Sequence, residues 1–436
     1  MRRALARVRA VFDVRPGEGA AAAWAALAFF AILGSYFVLR PVRDALGIEG
    51  DPAFIPWLFT ASFVVMTAIA APWGALVARV PRSRLVPISF RAFVVQLLIF
   101  AGLVSWDQAP VVVGRVFYVW LSVFNLFVVS VFWSVCADVL RPEQGRRLFG
   151  PIAAGGTAGA IVGPLATRSL APHVEPWVLL VIAGALLEAA VWAMARFERC
   201  GRELPTAVAT PPTTATATAT VAPARGSTAV GGHPLTGLTN LVRSPYLAGI
   251  AGYALCAACL ATFVYLSQAE IAKAALPDRA ARTRFFADVE LWTGVVSIAL
   301  QAVVTSRLMR WVGVGLVLAA LPLIQGVGLL ALAATPTLAM ATAVSATGRA
   351  ATHALARPAR ENLFTAVGRE DRFKTKNVID TLVYRFGDFG SSWLHRGLTL
   401  AGVALTAVAL PLAAAWAALA LALGVGHRRR TGADGR

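Results

Sequence analysis

The chain has 436 residues, of which 58% are hydrophobic and only 14% are charged. Soluble domains carry about 25% charged residues, so this composition excludes an ordinary soluble protein. The apolar residues also come in blocks of about 18 to 25, long enough for a helix to cross the ~30 Å hydrocarbon core of a bilayer. The sequence therefore predicts a polytopic protein embedded in a lipid bilayer.

The formal net charge is +18. A basic chain can bind nucleic acid, but here the Lys and Arg residues concentrate in alternate connections between the apolar blocks. That distribution is typical of the positive-inside bias that orients spans during insertion. It predicts a multi-pass protein of the inner (plasma) membrane with both termini in the cytoplasm, and it excludes nucleic acid as a partner.

About twelve of the apolar blocks are long enough to be membrane spans. Backbone groups in lipid must be hydrogen-bonded within the segment, so each span is predicted to be helical and the fold class is all-α. The first block is too long for a cleavable signal peptide and is expected to remain as a span. The predicted spans are 20–43, 55–78, 85–106, 111–139, 148–170, 177–197, 246–271, 286–309, 312–334, 337–360, 377–399 and 402–425.

One long connection, at 198–245, divides the chain. Its centre reads TPPTTATATATVAPARGSTAVGG, a composition that buries too little apolar surface to become ordered. We expect a disordered cytoplasmic linker with a short surface helix at 235–243. On either side lie an N-terminal six-helix half, 1–197, and a C-terminal six-helix half, 246–425, followed by a basic cytoplasmic tail at 426–436.

A ridge of small residues runs along the fifth span. Gly155, Gly159 and Gly163 recur every four residues, a small-xxx-small pattern that allows another helix to approach closely. The pattern predicts tight helix packing rather than a binding site.

The two halves repeat each other. LGSYFVL at 33–39 aligns with LATFVYL at 260–266, and the same offset aligns Glu143 with Glu370. A six-plus-six parallel repeat with a long central loop resembles the major facilitator superfamily, a family of secondary transporters. The segment GALVARVPRSR at 74–84 partly matches the basic motif that this superfamily carries between spans two and three. The resemblance implies pseudo-symmetric halves with spans one, four, seven and ten around a central cavity.

Four short segments narrow the resemblance. They are LRPVRD at 39–44, FWSVCADVLRPEQGRRLFG at 132–150, LWTGVVS at 291–297 and KTKNVIDTLVYRFGD at 374–388. In this order they are similar to motifs of the nucleotide transporters, the ATP/ADP translocases of plastids and obligate intracellular bacteria. The resemblance implies an antiporter that exchanges nucleotides, and hence a small anionic substrate.

Three charged positions of those exchangers are changed here. Their acidic residues near the start of span four and within span seven align with Leu121 and Tyr265, and a lysine of span eleven aligns with Asp388. Arg43 keeps the positive charge of the first span. The resemblance thus implies the fold, whereas the altered residues leave the identity of the solute open.

The candidate substrate-binding residues on span ten are basic. Arg349, His353 and Arg357 recur at i, i+4 and i+8, which places them on one helical face. Intramembrane charges are costly and usually face a cavity, and the arginine fork matches carboxylate or phosphate. We expect Arg349 and His353 to contact an anion, with Arg43 added by the resemblance. The alternatives are that Arg357 extends to the cytoplasm and that His353 is a packed polar residue.

Span eleven and two other helices carry further candidates. Arg385 is expected to contact the substrate, or else to neutralise Asp388 three residues along the helix. Asp388, Asp138 and Glu188 are the candidate gating or proton-coupling residues. Asp138, at the cytoplasmic end of span four, could pair with Arg141, Arg146 or Arg147, or stay an exposed helix-end carboxylate. Glu188, near the middle of span six, could be protonated or form a structural pair.

The sequence carries no catalytic signature. The glycines of AAGGTAG are not followed by Gly-Lys-Ser/Thr, so there is no Walker loop, and no metal-ligand cluster or nucleophile–base pairing stands out. We therefore expect no enzymatic activity, no cofactor and no metal; the sequence identifies no protein partner. Besides the anion exchanger, two hypotheses stay open: a proton-coupled carrier of another small solute, and a non-transporting membrane scaffold or sensor that keeps the fold.

Overall fold

In the computed structural model, the described residues are residue 15 and residues 17–79, 82–106, 110–202, 236–303, 305–368, 375–376 and 378–432. Most of the predicted linker, together with Lys374, lies outside them. The N-terminal half contains six long helices: α1 (Gly19–Gly47), α2 (Ile55–Arg79), α3 (Arg82–Trp106), α4 (Pro110–Val139), α5 (Pro142–Leu170) and α6 (Pro176–Arg202). A 3-10 turn, Pro52–Phe54, joins α1 to α2.

The C-terminal half repeats this arrangement after a short helix at Thr236–Arg243, where the sequence predicts one. Its first three long helices are α7 (Pro245–Ala275), α8 (Arg279–Val303) and α9 (Thr305–Ala334). Two π-helical turns interrupt the next two. Helix α10 comprises Leu338–Ala351, the π-turn Thr352–Ala356 and Arg357–Leu363; α11 comprises the π-turn Ile379–Val383 and Tyr384–Leu400; α12 is Leu405–Gly432.

These helices occupy the positions of the predicted spans, which confirms the all-α fold class. Within the described residues, eight helices are long and apolar enough, by length and composition, to cross a membrane. Helix α2 contributes a shorter apolar stretch, Ile55–Ile69. The other segments carry intramembrane charge, as α8 does, or a π-helical break, as α10 and α11 do. We call the end of the bundle where α6 ends and α7 begins the linker side, and the opposite end the far side.

Each half has its own hydrophobic core. The first is built from buried residues of α1 and α3–α6, and the second from buried residues of α7–α12. The second core also takes in Ala45, Ile48 and Ile55 from the far-side end of α1 and the start of α2. The halves therefore share apolar contacts at the far side.

The glycine ridge of α5 packs directly on the backbone of α1. A Cβ added at Gly155 or Gly159 would overlap the carbonyl oxygens of Ala26 or Phe30, and one at Gly163 would lie 2.8 Å from that of Gly34. The close approach predicted from the small-residue spacing is confirmed, and its partner is the helix that carries the site described below.

Ionic and polar contacts hold the two halves together at the far side. Lys273 Nζ donates to the carbonyl oxygens of Ile48, Glu49 and Gly50 at 2.5–2.8 Å. Arg279 binds the Glu49 carboxylate at 2.6 Å. Further cross-half contacts of the same kind are Arg168–Asp288, Arg396 to the Ala53 carbonyl, and Trp393 to Thr60. These contacts between the halves close the far side.

Candidate functional site

A buried carboxylate lies where the two halves meet at mid-depth. Both oxygens of Glu290, on α8, accept hydrogen bonds from the two terminal nitrogens of Arg349, on α10, at 2.5 Å each. Arg40, on α1, places its Nε 3.2 Å from the same carboxylate. One acid thus bridges an arginine from each half, a group that we call the central triad.

Exposure differs sharply within the triad. The Glu290 side chain is 2% exposed, whereas those of Arg40 and Arg349 are 23% and 26% exposed. The buried Nε of Arg40 also has no hydrogen-bond partner. Because two arginines share one carboxylate, the triad keeps an excess positive charge, and the arginine side chains are its accessible part.

Sequence reasoning anticipated only one member of the triad as a site residue. Arg349 is a predicted substrate-binding residue and lies in the triad, whereas the sequence does not predict Glu290 and Arg40 as site residues. Glu290 directly precedes the LWTGVVS segment at 291–297. A carboxylate inside a span, adjacent to a motif shared with a transporter family, was the available signal.

Arg43 belongs to a second cluster, one turn closer to the far side. Its Nε and one terminal nitrogen bind Asp44 Oδ1 at 2.9 and 2.6 Å, and its guanidinium lies 4.5 Å from the centre of the Tyr118 ring. Tyr265 of the other half donates to the same Asp44 oxygen at 3.2 Å. Arg43 and Asp44 are both buried, so in this conformation Arg43 is occupied by protein groups.

The predicted stripe on α10 is divided by a π-helical turn. Arg349 precedes the turn and joins the central triad, His353 lies within it, and Arg357 follows it. His353 is within electrostatic range of Arg349, Arg357 and Arg40. Arg357 lines a separate cavity of about 400 Å³ together with Arg385 of α11.

Asp388 lies deep in the C-terminal half. Its carboxylate accepts a hydrogen bond from Thr262 of α7 at 3.2 Å, and its other oxygen is 3.8 Å from Arg385. The i, i+3 pairing proposed from the sequence is therefore present, but it is long. Arg385 keeps a part of its guanidinium surface open to the cavity.

The other two candidates lie away from the central triad. Glu188, on α6, forms an exposed ion pair with Arg91 of α3 at 2.8 Å, on the outer face of the N-terminal half. Asp138 lies at the exposed linker-side end of α4. Arg147, one partner considered for Asp138, forms a bidentate pair with Glu18 at 2.8–2.9 Å. The structure therefore places Glu188 and Asp138 outside the central triad.

Glu18 is a carboxylate near the membrane boundary whose pKa is shifted by its surroundings. It precedes α1 and is buried against α5. Burial by itself raises its pKa, but the hydrogen bonds and charge of Arg147 outweigh this effect and hold the pKa below the ordinary value. In the described part of the chain, no group of three or more His, Cys, Asp or Glu side chains is placed to hold a metal ion.

Comparison with known proteins gives relatives of low identity that extend over most of the chain. No family model matches. The chain is 22% identical over 444 residues to ADP,ATP carrier protein 1 of Chlamydia trachomatis serovar D, covering 85% of this chain and 80% of the relative. It is 22% identical over 462 residues to the protein of the same name from Chlamydia muridarum, covering 89% and 84%.

Solved transporters share the fold. A bacterial homologue of the human lysosomal transporter Spinster, in an inward-facing and unoccupied conformation, matches with a TM-score of 0.59 and 16% identity, over 95% of this chain and 98% of that one. Nucleoside transporter NupG matches with a TM-score of 0.58 and 11% identity, over 96% and 99%. The POT family transporter PepTSo matches with a TM-score of 0.58 and 11% identity, over 95% and 98%. The predicted major facilitator fold is confirmed.

Proposed function

We propose that this chain, a divergent relative of the ADP,ATP carrier proteins, is a secondary transporter that exchanges organic anions of the nucleotide type by alternating access. The observation that carries the proposal is the central triad, in which Glu290 bridges Arg40 of one half and Arg349 of the other. A site shared by both halves at mid-depth is where alternating access requires the substrate to bind. The names of the relatives supply the nucleotide as the first anion to test.

The triad suits an anion for reasons of charge and geometry. Glu290 holds Arg349 through both terminal nitrogens, which fixes the plane of the guanidinium group. Arginine forks bind phosphate or carboxylate bidentately and more strongly than neutral donors do. Arg40 Nε lies 3.2 Å from Glu290 but makes no hydrogen bond with it, so a phosphate oxygen that entered beside Glu290 would accept from this donor and neutralise the excess positive charge.

The far-side contacts indicate which conformation is present. Lys273, Arg279 and Arg396 close the far side, so the partly exposed arginines of the triad open toward the linker side. The basic linker-side connections support a cytoplasmic location for that side, with both termini inside and the protein in the inner (plasma) membrane. The conformation is then inward-facing, ready to receive a cytoplasmic anion.

Individual residues take different roles in this proposal. Arg349 and Arg40 contact the anion, and His353 lines the path next to them. Arg43 contacts the substrate only after its ion pair with Asp44 breaks. Tyr265 of the other half also binds Asp44, so opening of the far side, which separates Asp44 from Tyr265, is the step that frees Arg43. Arg385 binds the anion on the linker side.

Transport by purified protein in liposomes tests the proposal. Vesicles loaded with ATP should take up labelled ADP, and empty vesicles should not. Removing a charge-assisted contact is worth about 10- to 150-fold in binding, so Arg349→Leu and Arg40→Leu should lower uptake per folded molecule by at least about tenfold. Arg349→Lys should recover part of the loss, because lysine keeps the charge without the fork.

Arg428→Leu is the matched control. Arg428 is exposed at the linker side of α12, so this substitution removes the same charge far from the triad. A cationic substrate, or equal uptake by Arg349→Leu and the control, would contradict the proposal. Uptake into empty vesicles driven by a proton gradient would favour the proton-coupled carrier instead, with the half-buried carboxylate of Asp388 to examine first.

A further inference from the structure

A cavity of about 400 Å³ lies inside the C-terminal half, toward the linker side from the triad. Its volume is in the range of small-molecule sites. On α10 the lining starts at Thr352, three residues after Arg349, and reaches Arg357, eight residues after it, so the cavity extends from about 5 Å to at least about 12 Å from Arg349 along the helix axis. Its walls come from α7, α9, α10 and α11, with polar lining residues Tyr253, Thr352, Arg357, Arg360, Glu361, Asp380, Tyr384 and Arg385.

Both π-helical turns of the chain's described part border this cavity. The turn in α10 contributes Thr352 and Ala356, and the turn in α11 contributes Asp380. A π-turn gives up regular hydrogen bonding and is frequent at functional sites. Two π-turns that border the same cavity therefore indicate that this part of the backbone serves a binding site.

The charges of the lining do not cancel. Arg360 binds Asp380 at 2.5 Å, and Glu361 binds Lys376 at 2.6 Å. Arg385 has only the long contact of 3.8 Å to Asp388. Arg357 is exposed to the cavity and, within the described residues, forms no ion pair or hydrogen bond.

The cavity also contains a buried donor without a partner. The Nε atom of Arg360 is buried and has no hydrogen-bond acceptor, although its terminal nitrogen is paired with Asp380. An unsatisfied buried N–H is costly. An anion bound between Arg357 and Arg385 would offer oxygens to all three arginines.

We propose that this cavity is a second anion site, which takes the phosphate groups of a nucleotide-type anion from the linker side before the anion reaches the central triad. Arg357 and Arg385 bind the phosphate. Tyr384 lines the same cavity and contacts the organic part of the anion. His353 lies between Arg349 and Arg357 along α10. The role in loading rests on the proposed function, whereas occupancy of the cavity does not.

Equilibrium binding of radiolabelled ATP to the purified full chain tests the second site. Wild type should bind two molecules per chain. Arg357→Leu and Arg385→Leu should each weaken one of the two events by about tenfold or more, leaving the other unchanged, while Arg349→Leu should weaken the other event. Arg357→Lys should bind better than Arg357→Leu, which separates a lost contact from a misfolded cavity. Arg428→Leu, as the matched surface control, should bind two molecules as wild type does.

The outcomes separate the two proposals. Wild-type binding of one ATP that depends on Arg349 and not on Arg357 would overturn the second site and leave the transporter proposal intact. One ATP that depends equally on Arg349 and Arg357 would show a single extended site and would also overturn it. Binding that depends on Arg357 and Arg385 without any exchange in liposomes would support the cavity and contradict the transporter. No binding of ATP or of pyrophosphate would overturn both.

Discussion

Replacing Glu290 by glutamine tests whether this carboxylate occupies the two arginines of the triad in the place that a substrate anion takes when it binds. Glutamine keeps the shape of the side chain but removes the negative charge that holds Arg40 and Arg349. Because Glu290 is almost fully buried, its ion pair is little screened by solvent. Breaking a buried pair by removing one partner costs about 3–5 kcal/mol, so the empty Glu290→Gln carrier should be less stable by an amount of this order.

An added anion should behave in the opposite way. In the Glu290→Gln variant, a phosphate can pair with both arginines without competition from the carboxylate, so binding should tighten. Saturation at 100 times the Kd stabilises a protein by about 2.7 kcal/mol. This stabilisation grows as the Kd falls at a fixed ligand concentration. At the same ATP concentration, we therefore expect a larger rise of the unfolding temperature in Glu290→Gln than in wild type, although the unfolding temperature without ligand is lower in the variant.

Thermal unfolding of purified protein with and without ATP gives the measurement. Glu143→Gln is the matched control, because Glu143 is an exposed carboxylate at the linker-side start of α5. It should unfold like wild type at all ATP concentrations. The reasoning is refuted if Glu290→Gln is as stable as Glu143→Gln without ligand, or if ATP stabilises it no more than it stabilises wild type.

Two further predictions concern the scaffold. Gly159→Ala should lower the free energy of unfolding by about 1–3 kcal/mol, the usual effect of overpacking, because the added Cβ would overlap the Phe30 carbonyl. Gly102→Ala is the control and should leave the free energy of unfolding unchanged, because a Cβ added at Gly102 would have no atom within 4 Å. The pKa of Glu18 is lowered in the folded state. At a pH above the ordinary carboxyl pKa, its pair with Arg147 therefore stabilises the folded protein, and this contribution is lost as the pH falls through the lowered pKa. Unfolding of wild type and Glu18→Gln should therefore differ at neutral pH and converge in acid, and a difference that grows in acid would contradict the assignment.

The fold could be predicted from the sequence because its determinants are local. Apolar block length specifies the spans, and the spacing of Gly155, Gly159 and Gly163 predicts close packing without reference to a partner. The predicted start of the eighth span, 286, is later than the actual start at Arg279. There the helix end is held by the ion pair of Arg279 with Glu49, a contact between halves that no local pattern contains.

The site could be predicted only in part, for two physical reasons. The contact of Arg40 with Glu290 joins residues of α1 and α8, and a single sequence does not pair residues so distant in the chain. The i, i+4, i+8 spacing of α10 assumes a regular helix, whereas the π-turn at Thr352–Ala356 separates Arg349 from Arg357. As a result, one predicted stripe corresponds to two places, the triad and the cavity of the C-terminal half.

Two of the three positions at which this chain departs from the nucleotide exchangers, Leu121 and Tyr265, lie around Arg43, and the third, Asp388, lies beside Thr262 and Arg385. Leu121 is fully buried in the N-terminal core, one turn from Tyr118, which lies against Arg43. Tyr265 hydrogen-bonds to Asp44, the partner of Arg43. Neither touches Glu290. The altered residues thus lie outside the triad, which keeps Arg40 and Arg349, so we expect selectivity for the organic part of the solute to be where this carrier differs from its relatives.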